Sequence, residues 1–137
     1  MITIYMLDTT TFSDLMREHP QVEARIAQLA PTDRICINTI VRGEVRYGLE
    51  RMARDRKRRR LEAKASQLFT VLLCEPIPEA AGDHYGRLKW EAERKGTRLD
   101  ENDLWIAATA LALDAVLVTR DSDFQRIHGL RIENWTP

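Results

Sequence analysis

Four acidic side chains stand where chemistry could be done: Asp8 closing an apolar N-terminal run, Glu44, Asp103, and Asp121 two residues beyond Thr119. Each also has an ordinary structural use. Asp8, followed by Thr9, Thr10 and Thr11, has the composition of a helix cap. Glu44 could pair with Arg46 or Arg51, Asp103 could stabilise the positive end of a helix, and Asp121 could be a turn residue. Taken as a set they imply more. Carboxylates brought to one place repel and shift one another's proton affinities unless a cation neutralises them. A hard divalent ion, Mg2+ or Mn2+, prefers oxygen ligands, keeps several waters, and is held by a few carboxylates together with substrate phosphate. That combination hydrolyses phosphodiesters, because the ion makes hydroxide available near neutral pH and stabilises charge on the leaving oxygen.

The elements around the acids predict that they converge. Short apolar runs at 3–7, 35–37, 71–74, 115–118 and 130–133 read as strands. Most lack a polar face, as strands do when helices cover both sides of a parallel sheet. The last alternates and reads as an edge. Between them, segments of helical period cover 11–18, 21–29, 40–52, 58–69, 79–95 and 102–113, with a turn or short helix at 122–127. The helix at 102–113 is apolar nearly all round and belongs inside the fold, with Asp100 as its cap. This alternation predicts one α/β domain over residues 1–137, three layers (α/β/α) around a mostly parallel central sheet. In such a sheet the working crevice lies beyond the carboxyl ends of the strands. All four acids fall near strand-to-helix junctions.

Composition sets the outer bounds. At 137 residues, 44% hydrophobic and 31% charged, the chain has the length of one domain and enough apolar content for a core, which excludes a disordered tail. There is no stretch of 18 apolar residues to span a bilayer and no signal-peptide pattern at the N-terminus, so a soluble, cytoplasmic protein with no membrane association is expected. Cys36 and Cys74 lie in apolar runs and read as small buried thiols, which suits a reducing compartment. His19, His84 and His128 have no ligand spacing, and no Walker-type loop or dinucleotide fingerprint occurs. The formal net charge is zero, but residues 42–64 hold ten basic side chains against four acidic ones, so a basic block is balanced by an acidic remainder.

Four ordered blocks of sequence resemble one family. They are Tyr5-Met6-Leu7-Asp8-Thr9-Thr10, Thr39-Ile40-Val41-Arg42-Gly43-Glu44-Val45-Arg46-Tyr47-Gly48, Asn102-Asp103-Leu104-Trp105-Ile106-Ala107-Ala108 and Val118-Thr119-Arg120-Asp121-Ser122-Asp123-Phe124. Together with the ending at 129–135, they make the chain similar to a PIN-domain ribonuclease of the VapC type, the toxin half of a type II toxin-antitoxin module. The resemblance implies a PIN-like domain and an endoribonuclease that cuts RNA and inhibits translation, with Mg2+ or Mn2+ as cofactor. It implies Asp8 and Asp103 as direct ligands, Glu44 as a ligand or water-positioning base, Asp121 as a ligand partly through water, and Thr119 as an orienting hydroxyl. Its implied partners are RNA, a cognate VapB-type antitoxin and a second copy of the chain as a homodimer. The family usually has Asn or Ser two residues after the first Asp, where this chain has Thr10.

Two other readings compete. A phosphatase of the haloacid-dehalogenase kind needs a second Asp two residues after the first, and Thr10 removes that proton donor. An inactive RNA- or protein-binding module would use the basic block as its working surface. Within that block Arg54, Arg56, Lys57, Arg58 and Arg59 could grip RNA phosphates, or could be a solvated helix face. Trp105 falls in the buried-helix pattern and reads as core, whereas Tyr85 and Trp90 suit packing at a dimer interface.

Overall fold

A computed structural model describes residues 2–97 and 99–137. Five parallel strands form one sheet in the order β3-β2-β1-β4-β5: β1 is Ile4–Leu7, β2 Arg34–Asn38, β3 Leu73–Glu75, β4 Val116–Val118 and β5 Ile132–Glu133. The helices are α1 Thr9–Met16, α2 Pro20–Ala27, α3 Thr39–Glu50, α4 Arg56–Val71, α5 Glu79–Lys95 and α6 Glu101–Ala112, with a 3-10 turn at Ser122–Arg126. Tyr5, Met6 and Leu7 of the central strand are buried, as are Cys36, Ile37 and all of β4, so the runs of β1, β2 and β4 are interior strands as expected, whereas β3 is an edge with Leu73 exposed. The chain first builds outward from β1 through β2 to β3, then crosses back to add β4 and β5 on the other side. The order therefore reverses between β1 and β4, which makes the gap beyond their carboxyl ends the switch point of the sheet.

Polar side chains, two of them at strand ends, start the helices. Asp8 accepts the Thr11 N–H at 2.8 Å, Asn38 the Val41 N–H at 2.9 Å and Asp100 the Asp103 N–H at 2.8 Å, each satisfying a donor that the first helical turn leaves free. Asn38 does more than cap. Wholly buried, it donates its amide to Thr109 Oγ1 at 3.1 Å, and Thr109 donates to the Trp105 carbonyl at 2.7 Å, tying the end of β2 to α6. His19, without ligand spacing in the sequence, receives the Gln21 N–H at 3.2 Å and caps α2.

The third strand starts later than its apolar run suggests. Val71 closes α4 and is 68% exposed, because the Leu61, Ala65 and Leu68 face keeps the helix packed through that point. Trp105 is half-buried rather than core: it stacks on Tyr85, ring centroids 4.0 Å apart, so Tyr85 packs within the chain while Trp90 stays exposed. Cys36 is buried, with its thiol pushed up to about 12, and Cys74 is half-buried.

Arg58 corrects an expectation. It is 7% exposed, bonds Glu62 at 2.6 Å through Nε, and donates to the Met52 carbonyl at 3.1 Å, holding the last turn of α3 against the start of α4. A guanidinium so engaged has no free face for a phosphate. Replacing Arg58 with Met should lower stability by about 2–3 kcal/mol, since it leaves buried acceptors unmet, whereas Arg56→Ala should change it by less than about 0.5 kcal/mol. Asn38→Ala should cost about 1–3 kcal/mol by removing a cap and a buried amide together. Urea unfolding of the three variants measures these differences, and unaltered midpoints for Arg58→Met and Asn38→Ala would contradict the roles given to them.

Candidate active site

Asp8, Thr119, Asp121, Glu44 and Asp103 lie around the switch point, near enough for their charges to be felt. β1 delivers Asp8 at its carboxyl end, where the Asp8 N–H bonds the Val118 carbonyl at 3.1 Å and so extends the β1–β4 pairing by one step. Asp8 is 6% exposed, and its cap to Thr11 uses Oδ1 alone. Burial raises its pKa above the ordinary carboxylate value, the nearby Thr119 hydroxyl and the Thr11 donors pull it back, and Asp121 raises it further. Thr11 also donates its hydroxyl to Val118 at 3.1 Å, locking α1 onto β4.

Glu44 does not pair with Arg46 or Arg51. Half-buried on α3, it accepts the Thr9 hydroxyl on Oε1 and the Asn102 amide on Oε2 at 3.2 Å, so α1, α3 and α6 are joined through one carboxylate. Thr119 accepts the Asp121 N–H at 3.0 Å, and Asp121 in turn accepts the Asp123 N–H at 2.9 Å, which fixes the turn after β4. Capping and site placement coexist here: Asp8 and Asp121 perform both, because each cap uses one carboxylate oxygen.

Asp103 records the crowding. Its pKa is pushed up to about 7, first by burial, then by the negative charges of Asp100, Glu44, Asp121 and Asp8. None of the ion pairs among the described residues involves Asp8, Glu44, Asp103 or Asp121. The same described residues hold no three His, Cys, Asp or Glu groups already close enough to grip one ion. The acids thus share a field without sharing a point. The field reaches farther than a metal-ligand bond, so the two observations agree, and an all-oxygen donor set in a negative field fits a hard cation that brings its own waters.

Sequence reasoning found the acids but not what holds them. Thr9 and Asn102, neighbours of Asp8 and Asp103, position Glu44; their only signal is that adjacency. Thr10, at the family's Asn or Ser position, is exposed, and within this run the hydroxyls that make tertiary bonds are those of Thr9 and Thr11. Of the basic run, Arg54, Arg56, Lys57 and Arg59 are exposed and Arg58 is buried. The run follows α3, whose 12 residues carry the chain about 18 Å from Asn38, so it lies away from the acids.

Comparison with known proteins agrees with this architecture. The model of the PIN domain family matches residues 5–130. Ribonuclease VapC1 of Haemophilus influenzae strain R2866 is 36% identical over 136 residues, covering 97% of this chain and 98% of that protein. The tRNA(fMet)-specific endonuclease VapC of Salmonella typhimurium is 33% identical, covering 96% and 97%. The structure of VapBC-1 from nontypeable Haemophilus influenzae superposes with a TM-score of 0.88 at 32% identity, covering 98% of this chain and 100% of that one.

Because the pKa of Asp103 is raised in the fold, its protonated form favours folding. That contribution is full below 3.8 and is lost as pH climbs through about 7. In the metal-free protein, the Asp103 carboxyl carbon followed by NMR should titrate near 7, and Asp100→Asn, which keeps the cap, should lower the midpoint. An ordinary aspartate midpoint would mean that the acids do not share a field.

Proposed function

The chain belongs to the PIN domain family, and from that premise we propose that Asp8, Glu44, Asp103 and Asp121 form a divalent-metal site at which RNA is hydrolysed. The protein is an endoribonuclease of the VapC class, the toxin of a toxin-antitoxin pair, with a VapB-type antitoxin as its partner. The observation that carries the metal reading is Asp103: a carboxylate held near 7 first by burial and then by the charges of four neighbouring acids favours a cation beside it.

Asp8 and Asp103 would hold the ion directly, Asp121 would contribute partly through water, and Glu44 would serve as ligand or as the acceptor that orients a water. Bound Mg2+ or Mn2+ supplies a hydroxide near neutral pH and offsets charge on the scissile phosphate. The chain's own part is to keep the oxygens in place. Thr9 and Asn102 fix both oxygens of Glu44, so its reach toward the gap is set by α1 and α6 rather than by its own flexible stem. Thr119 holds the Asp121 backbone and stands beside Asp8. Four acids converging on one gap favour an enzyme over a module that only binds RNA or protein. A second copy of the chain remains part of this reading; Trp90, 64% exposed on α5, offers it apolar surface.

Purified protein freed of antitoxin should cut cellular RNA at discrete positions with Mg2+ or Mn2+ and not with chelator. Asp8→Asn and Asp103→Asn should each reduce cutting by about 100-fold or more, and Thr119→Val by about 10- to 100-fold as an outer partner. Circular dichroism should show all three folded. Undiminished cutting by folded Asp8→Asn and Asp103→Asn would remove them from the site. Cutting that persists in chelator would remove the metal.

A further inference from the structure

A groove of about 700 Å3 opens between the end of α1 and the side of α4, and Arg17, Glu18, Lys57, Arg60 and Lys64 line it. Lys57, Arg60 and Lys64 share one face of α4 by helical spacing, with rises between them of about 4.5 and 6 Å. Arg17, just past the end of α1, lines the groove with them. The one carboxylate, Glu18, stands 3.7 Å from Lys64, and no ion pair among the described residues involves Arg17, Lys57 or Arg60.

Folding does not explain this charge. Lys57 and Arg60 lie in the first turns of α4, where the positive end of the helix dipole opposes cations. Arg58, in the same turns, is the cation that packing uses. The groove also lies at the wrong end to neutralise the acids: Asp8 precedes α1 and Arg17 follows it, about 12 Å along the axis. Meanwhile the carboxylate cluster repels the phosphates of any strand brought to it, so attraction for RNA must come from elsewhere on the surface.

We propose that this groove anchors the phosphate backbone of an RNA strand at a distance from the cut, through Arg17, Lys57, Arg60 and Lys64. The proposal rests on the ribonuclease reading for its choice of polyanion. Three cations on long flexible stems along one face of α4 can meet successive phosphates of one strand. The anchoring set differs from the exposed basic run as a whole: it draws in Arg17 from another helix and leaves out Arg54, Arg56 and Arg59.

Binding of a labelled single-stranded RNA of about 20 nucleotides, measured by anisotropy in chelator across a salt series, tests this without any cleavage. Lys57→Ala combined with Arg60→Ala should weaken binding about tenfold and reduce the slope of log K against log salt by about 1.4, the value for two lost single-strand contacts. Arg54→Ala combined with Arg59→Ala removes the same charge outside the groove and should leave both quantities near wild type. Equal losses from the two pairs, or none from the first, would overturn the proposal. So would a groove pair that binds RNA normally but loses hold of a glutamate-rich helical peptide, since the groove would then belong to a protein partner. If wild type shows the groove-dependent binding yet never cuts RNA with metal, the nuclease reading fails and the anchoring site stands.

Discussion

The hydrogen bond from the Asp8 N–H to the Val118 carbonyl is the contact on which the site depends. It carries the parallel pairing of β1 and β4 one residue past the strands, at the place where the sheet changes direction. Asp8 is thereby held with one oxygen capping α1, and Thr119 is brought beside it. Thr11 fastens the same helix to Val118, while Thr9, one turn position away, reaches Glu44. A single strand end thus orients side chains from other elements around it. A slip of β1 against β4 by one residue would turn Asp8 toward the opposite face of the sheet, because side chains alternate along a strand.

Repulsion is the cost of this arrangement. The fold meets it with neutral donors: backbone N–H groups, threonine hydroxyls and the Asn102 amide bond the acids without cancelling their charge. Such donors stabilise carboxylates less completely than a lysine or arginine would, and Asp103, raised first by burial and then by its acidic neighbours, binds its proton far more tightly than a free aspartate. A site stabilised by its own cations would be more comfortable and would have no need of another.

Much of this was legible in the sequence, for physical reasons that differ by element. Interior strands such as β1 and β4 announce themselves as short apolar runs, and α5 was read with its observed bounds because Gly96, at φ 67°, is a natural left-handed stop. The acids were legible because a parallel sheet puts strand ends together. What holds Glu44 was not, since Thr9 and Asn102 are 35 and 58 residues away and only tertiary packing makes them neighbours. Arg58 was hidden for another reason. In a run of like cations, composition does not say which one the helix turns inward, and the answer depends on the carbonyls at the end of α3 that happen to face it.

The neutral net charge acquires a spatial meaning from the same geometry. Acids gather beyond the carboxyl ends of β1 and β4, and the cations of α4 gather about one α1 length away, beside Arg17. Had the sequence placed Lys57 or Arg60 next to Asp103, the pair would have neutralised both, lowering the carboxylate's proton affinity and filling the space an ion requires. Separation leaves each kind of charge uncancelled within the chain. At this distance, with a screening length near 8–10 Å at ordinary ionic strength, the two ends act almost independently in solution. A ligand long enough to touch both is then distinguished from a short one by its length as much as by its chemistry.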